Sequence, residues 1–462
     1  MSDQQKFDLF SKRYPHTREN FFDRPHWTRR RFFQLAGAGV SGAFLARRAA
    51  WGMDGQGAGV TPRNTAKNVI FILLQGAPSQ VDTFDFKYLD GTTPPSFAPD
   101  TINGVLWPTG LLPKLGHQIP DFAIVRSMRS HALVHTLSQT WTMIGRNPVG
   151  GAISAPHIGS IVAIEKEPER LPNQKFPTFL ALNSNNAEGP GYLQSRYGAF
   201  KVTANPGGLA DAASPAGQAR FNRRWNLLHS LDDSLRISSP DGKPLEDYND
   251  FYSAAQGLMY DPVVNQALGF TPADSARYGS SALGNACLVA AQVVKAQQGT
   301  RFIQITSTDG WDMHSAIYSP NGLPAKGKIL DDAVSGLLSD LKSTGMLATT
   351  LVVMLGEFGR TVGKLTNAAG RDHYLQQFAF FAGGGVKGGT ILGSTNAAGS
   401  DVTDYGWSRQ RYVFMEDVEA TIYSAMGIDW TYVRTDDPLH RRFQYVPFSD
   451  QDLYGPIDEL WG

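Results

Sequence analysis

The sequence predicts an α/β protein built on a mostly parallel central sheet, with helices on both faces and an inserted cap region. Three observations point there. The stretches NVIFILL, Asn68 to Leu74, and TTLVVML, Thr349 to Leu355, are near-continuous aliphatic runs of strand length, as expected of strands buried on both faces. From Ala282 onward, strand-like runs alternate with apolar-periodic stretches of helical length, the order that a parallel sheet requires. The strands also end in polar, glycine-containing turns, and the carboxyl edge of such a sheet is where ligands sit.

The first run is a central strand that stops at Gln-Gly-Ala-Pro, a turn signal. A Pro- and Gly-rich loop, Thr92 to Pro120, leads to a short strand around FAIVRSM, Phe122 to Met128, and then to a helix entered after His135. Between about Gly191 and Gly279 the pattern breaks into Pro, Gly, Ser and Asn with short helical pieces such as ARFNRRWNLLHSL, so this region is expected to be a cap and not a second core. Helix ALGNACLVAAQVVKAQ, strand RFIQITST, helix ILDDAVSGLLSDLKSTG and strand TTLVVML follow. A loop then runs to His373, followed by strand QFAFFAGG and a last helix, MEDVEATIYSAMG. The expected domain spans 67–429, with an N-terminal tail and signal over 1–52 and a C-terminal tail over 430–462.

Charge narrows the partners. Lys plus Arg (42) equals Asp plus Glu (42), so no global field argues for nucleic acid. The single cysteine, Cys287, lies in the apolar run GNACLVAAQVV, where a buried structural thiol is expected and an intramolecular disulfide is impossible. The stretch TRRRFFQLAGAGVSGAFLARRAA begins at Thr28 with Arg29 and Arg30, continues through Phe32 and Phe33, and turns mildly apolar as far as Ala46. That order is the pattern of a twin-arginine export signal, with processing expected near Ala49 to Trp51. Its apolar part is roughly a dozen residues, short of the ~20 that a membrane-spanning helix needs. The expected location is therefore periplasmic or extracellular, with the twin-arginine translocon as a partner during export and no stable membrane anchor afterwards.

Five motifs, GAPSQVDTFD, GWDMH, GEFGRT, GRDHY and GGGVKGGTILGST, together resemble DUF1501, a bacterial family of unknown function whose members are sulfatase-like and exported by the twin-arginine route. The resemblance covers roughly Lys67 to Asp429. The strand order also looks like that of the alkaline phosphatase and sulfatase superfamily. It implies an alkaline phosphatase-like fold and a metal-dependent hydrolase of phosphate or sulfate esters, acting on a small-molecule or carbohydrate ester. The alternative it leaves is a non-catalytic protein that binds an anion or carbohydrate on a degenerate hydrolase scaffold.

The residues that would carry such chemistry lie at strand ends. Asp309, Asp312 and His314 follow RFIQITST, and Asp312 and His314 alternate, so an extended chain puts both on one side. Glu357 follows TTLVVML, and Asp372 and His373 lie in the next loop. Carboxylate and imidazole suit zinc or a similar divalent ion, and these six residues are the expected ligand set, for one ion rather than two. The resemblance places Gln75 and Phe358 where superfamily members carry ligands of a second metal, with Asp82 or Asp85 as the only replacements nearby. It places His135 in the nucleophile slot, with Thr136 the nearest hydroxyl and Gln139 in the slot of an arginine. Formylglycine chemistry is thereby excluded, and His135 is left as a ligand, a base or a phosphoryl carrier. Arg360 would hold an ester oxygen as a charged fork, or pair with a carboxylate.

Overall fold

The computed structural model describes residues 59–148, 155–184, 189–210, 212–236, 252–253, 255–437 and 440–462. The expected export signal lies outside them. The chain divides into two compact units. One takes Met1–Asp54 and Leu227–Pro240, of which the end of the helix Gln218–Arg236 is described; the other takes Gly55–Asn226 and Asp241–Gly462 and holds the sheet. Everything below concerns the second unit.

Eight strands make the central sheet. In chain order they are β1 (Asn68–Leu74), β2 (Phe122–Arg129), β3 (Phe179–Leu182), β4 (Phe200–Val202), β5 (Phe302–Ser307), β6 (Thr350–Leu355), β7 (Gln376–Ala382) and β8 (Ile391–Leu392). Across the sheet the order is β8-β2-β7-β6-β1-β5-β3-β4. β1 pairs in parallel with both β5 and β6, which makes it central, and β7 alone runs against its two neighbours, β2 and β6. The mostly parallel α/β fold is thus as the sequence predicts.

Burial explains why the central strands lack polar alternation. In β1, Ile70, Ile72 and Leu74 pack with α3 (Ala282–Ala296) and α4 (Leu323–Ser343) on one face. Val69, Phe71 and Leu73 pack with α2 (Ile158–Lys166) and α5 (Met415–Ala425) on the other. Both faces are covered by helices, so each side chain of the strand leaves water. A further helix, α1 (His135–Ile144), begins at the carboxyl edge after β2.

Two parts of the expected layout differ. Within the expected cap, β4 joins the edge of the central sheet in parallel with β3, because Phe200 to Val202 finds an unpaired edge there. Residues 430–462 are not a tail: Tyr445, Val446, Ile457 and Leu460 are buried with the residues of α5, and the Arg146 guanidinium donates to the carbonyls of Gln444 and Tyr445. Among the described residues no helix is long and apolar enough to cross a membrane.

Candidate metal centre

Strand direction gathers the site. The parallel strands β1, β5 and β6 deliver the segments after Leu74, Ser307 and Leu355 to one edge, and β7, running the other way, starts at that edge just after His373. β1 and the Trp311–Asp312 loop meet at Gly76, whose φ is +100°; a Cβ there would stand 2.6 Å from the Asp312 nitrogen, so only glycine fits. A short antiparallel ladder then pairs Gly359–Arg360 with His373–Tyr374, and this sets Arg360 beside the loop that carries Asp372.

Four side chains converge. His135, Asp312, His314 and His373 each offer one ligand atom within 4.8 Å of the others, a group able to hold a metal ion. His314 Nε2 lies 2.9 Å from Asp312 Oδ1 and 3.1 Å from His373 Nε2. His135 Nε2 lies 3.3 Å from Asp312 Oδ2 and is buried without a hydrogen-bond partner.

The other nitrogen of each ring decides what faces inward. His135 Nδ1 lies 2.7 Å from Glu357 Oε1, His314 Nδ1 lies 2.7 Å from Asp372 Oδ1, and His373 Nδ1 lies 2.7 Å from the Leu133 carbonyl oxygen. All three partners are acceptors, so each Nδ1 is placed to donate and each Nε2 faces the centre. The Nε2 atoms of His314 and His373, 3.1 Å apart, are close enough to share a proton or to bind one cation together. The donor set, three imidazoles and one carboxylate, fits zinc-type coordination.

The surroundings bias the charges. Hydrogen bonding to Glu357 raises the His135 pKa, against the effect of burial. Partial burial opposes ionisation of Asp312, but the hydrogen bond and charge of Arg360, with His135 and His314, hold its pKa below the usual carboxylate value. Phe358 supplies an apolar wall, its ring centroid 4.4 Å from that of His373 and 4.9 Å from that of His135.

The remaining expected residues take other places. Glu357, 1% exposed, is a step behind the group: its Oε1 accepts from Gly76 N–H (2.9 Å), Gln139 Nε2 (3.2 Å) and His135. Asp372 likewise backs His314. Asp309 is outside the group, because its carboxylate accepts from Ser307 Oγ at 2.6 Å. Arg360 holds no open fork; its donors are spent on Asp312, on the carbonyls of Gly76, Ala77 and Arg371, and at 3.5 Å on His314. Asp82 is locked by Arg371 and Tyr318, and Asp85 lies among Thr395, Lys87 and Arg126, so neither carboxylate is part of the group. Thr136 is exposed in the first turn of α1, and the hydroxyl of Thr140 donates to its carbonyl. Sequence reasoning missed the Leu133 carbonyl, which has no side-chain signature, and the buried Asp82–Arg371 pair that anchors the Asp372–His373 loop.

An α/β sheet with three histidines and an aspartate gathered at its carboxyl edge defines an α/β protein with a candidate metal centre. The chain belongs to the family described as protein of unknown function DUF1501, which it matches over residues 66–446. No curated protein matches it. Among solved structures it is similar to the PsFucS1 sulfatase from Pseudoalteromonas sp., at 13% identity and a TM-score of 0.38, over 83% of this chain and 70% of that one. The lipoteichoic acid synthase LtaP from Listeria monocytogenes is 12% identical with a TM-score of 0.36, over 85% and 79%. A protein of the alkaline phosphatase superfamily from Vibrio parahaemolyticus is 11% identical with a TM-score of 0.37, over 83% and 74%.

Proposed function

We propose that the chain is an exported, metal-dependent hydrolase of phosphate or sulfate esters, with zinc held by His135, Asp312, His314 and His373. The observation that carries this reading is the convergence of three Nε2 atoms and one carboxylate, with every Nδ1 spent on an acceptor. When bound, zinc supplies Lewis acidity at the ester and brings the pKa of a coordinated water to ~7. The protein's own part is positional. Glu357, Asp372 and the Leu133 carbonyl fix the three rings, and Phe358 keeps one side of the centre dry. The first turn of α1 has no side-chain cap, so its N–H groups are free to receive an anionic ester oxygen beside His135. Thr136 is the hydroxyl next in sequence, on the exposed side of that turn.

The test is the metal content of the purified protein and its turnover of chromogenic phosphate and sulfate esters. Stoichiometric zinc and ester cleavage, both lost in His314→Ala, are expected; Thr136→Ala should keep the metal, and loss of turnover in it would make the hydroxyl the nucleophile. A protein without bound metal, or turnover that survives His314→Ala, overturns the proposal. Bound metal with no turnover of either ester class leaves the anion-binding alternative in its place.

A further inference from the structure

The centre contains a fixed cation that this function leaves unused. Arg360 is 1% exposed, and its Nη2 donates to Asp312 Oδ1 at 2.6 Å. Its other contacts are to three carbonyls, Nη2 to Gly76 at 2.5 Å, Nε to Ala77 at 2.9 Å and Nη1 to Arg371 at 3.2 Å, and from Nη1 to His314 Nε2 at 3.5 Å. Four of its five N–H donors are thereby spent within the protein, on Asp312 and three carbonyls.

We infer that Arg360 is a positioning residue that anchors Asp312 in the ligand group and limits the centre to one divalent ion. The inference rests on reading the group as a metal centre. Asp312 Oδ1, the atom that Arg360 holds, is also 2.9 Å from His314 Nε2 and 3.5 Å from His373 Nε2. The guanidinium charge therefore sits against the ligand group itself, where it repels a further cation and fixes the carboxylate without help from a second metal. The acceptors nearby point the same way. Glu357 Oε1 already takes three donors, Asp372 Oδ1 takes His314, and the amides of Gln75 and Gln139 bond to each other at 3.2 Å. Asp312 is the only carboxylate in the group among the described residues. A second ion would meet the guanidinium charge beside the one carboxylate of the group.

The experiment strips the full-length protein of metal and titrates it with cobalt(II). It counts bound cobalt per chain and follows the visible d–d absorption, which reports coordination and not stability. Wild type should bind one equivalent. Arg360→Met, folded by circular dichroism, should bind roughly 10–100-fold more weakly, as loss of a ligand's supporting partner does, with an altered cobalt spectrum once Asp312 is unanchored. Arg360→Lys, which keeps the charge without the fork, should fall between the two. Two equivalents in wild type would overturn the inference while sparing the metal reading. So would an unchanged affinity and spectrum in Arg360→Met. Absence of bound cobalt refutes the metal reading and this inference together. The stoichiometry needs no variant and decides the matter if Arg360→Met does not fold.

Discussion

Glu357→Gln separates a ligand from a ligand's support. The wild-type carboxylate is wholly buried, and its Oε1 accepts from Gly76 N–H, Gln139 Nε2 and His135 Nδ1 at 2.9, 3.2 and 2.7 Å. A glutamine oxygen in the same place keeps all three bonds but makes them neutral. Charge-assisted hydrogen bonds contribute about 1.5–3 kcal/mol against about 1 kcal/mol for neutral ones. The ring of His135 thus becomes a poorer donor to metal by about 1–2 kcal/mol, which is roughly a tenfold loss of zinc affinity. The assay is competition for zinc between the metal-free protein and a chromophoric chelator. Glu357 Oε2 is buried without a hydrogen-bond partner. Zinc affinity equal to wild type would refute the reasoning, because His135 would then not be a ligand tuned by Glu357. Glu357→Ala is the wrong probe, since it orphans three donors and confounds binding with folding.

Two further outcomes are expected. His157 caps α2, its Nδ1 accepting from Gly159 N–H at 2.8 Å, and burial pushes its pKa down to about 3. With an unfolded value near 6.5, the unfolded chain binds the extra proton between the two values, so this contribution is complete above pH ~6.5 and is lost as pH falls toward ~3. By pH 5 the loss is about 2 kcal/mol; His157→Asn, which keeps a capping oxygen, should show that much less weakening between pH 7 and 5 in urea titrations, and parallel slopes would sink the assignment. For export, replacing Arg29 and Arg30 by lysine should leave the precursor inside the cell, and normal secretion of that double variant would show that the pair is not the signal.

Much of the fold was legible because burial on both faces leaves a mark. β1 and β6 read as central strands from their aliphatic runs, and α3, α4 and α5 from their period. Strand direction leaves no such mark, so nothing in QFAFFAGG announced that β7 runs antiparallel. The C-terminal segment was misread as a tail because what fixes it is distant in sequence: Arg146 to the carbonyls of Gln444 and Tyr445, and the Tyr445 hydroxyl to Glu165. At the site, strand-end logic found Asp312, His314 and His373, but it could not rank carboxylates. Glu357, Asp372 and Asp309 occupy equally suggestive positions. A few ångströms of side-chain reach separate a group member from a partner of histidine and from a carboxylate bonded to Ser307.

The same partners bear on whether these histidines merely satisfy loops. Loop histidines that bond to backbone explain one ring nitrogen each, and His373 with the Leu133 carbonyl meets that description. They do not explain the second nitrogen. Here three rings from three separate segments, each held at Nδ1 by a different acceptor, bring their Nε2 atoms together around one carboxylate. Rotating any ring to relieve the crowding would break a 2.7 Å hydrogen bond, and for His135 and His314 that bond is to a carboxylate. The fold therefore holds the three Nε2 atoms together instead of dispersing them, and whatever bridges them stabilises that arrangement. A shared proton between His314 and His373 would bridge that pair alone and leave His135 Nε2 with only Asp312 Oδ2, 3.3 Å away, for company. A divalent cation would engage all three nitrogens and Asp312 at once.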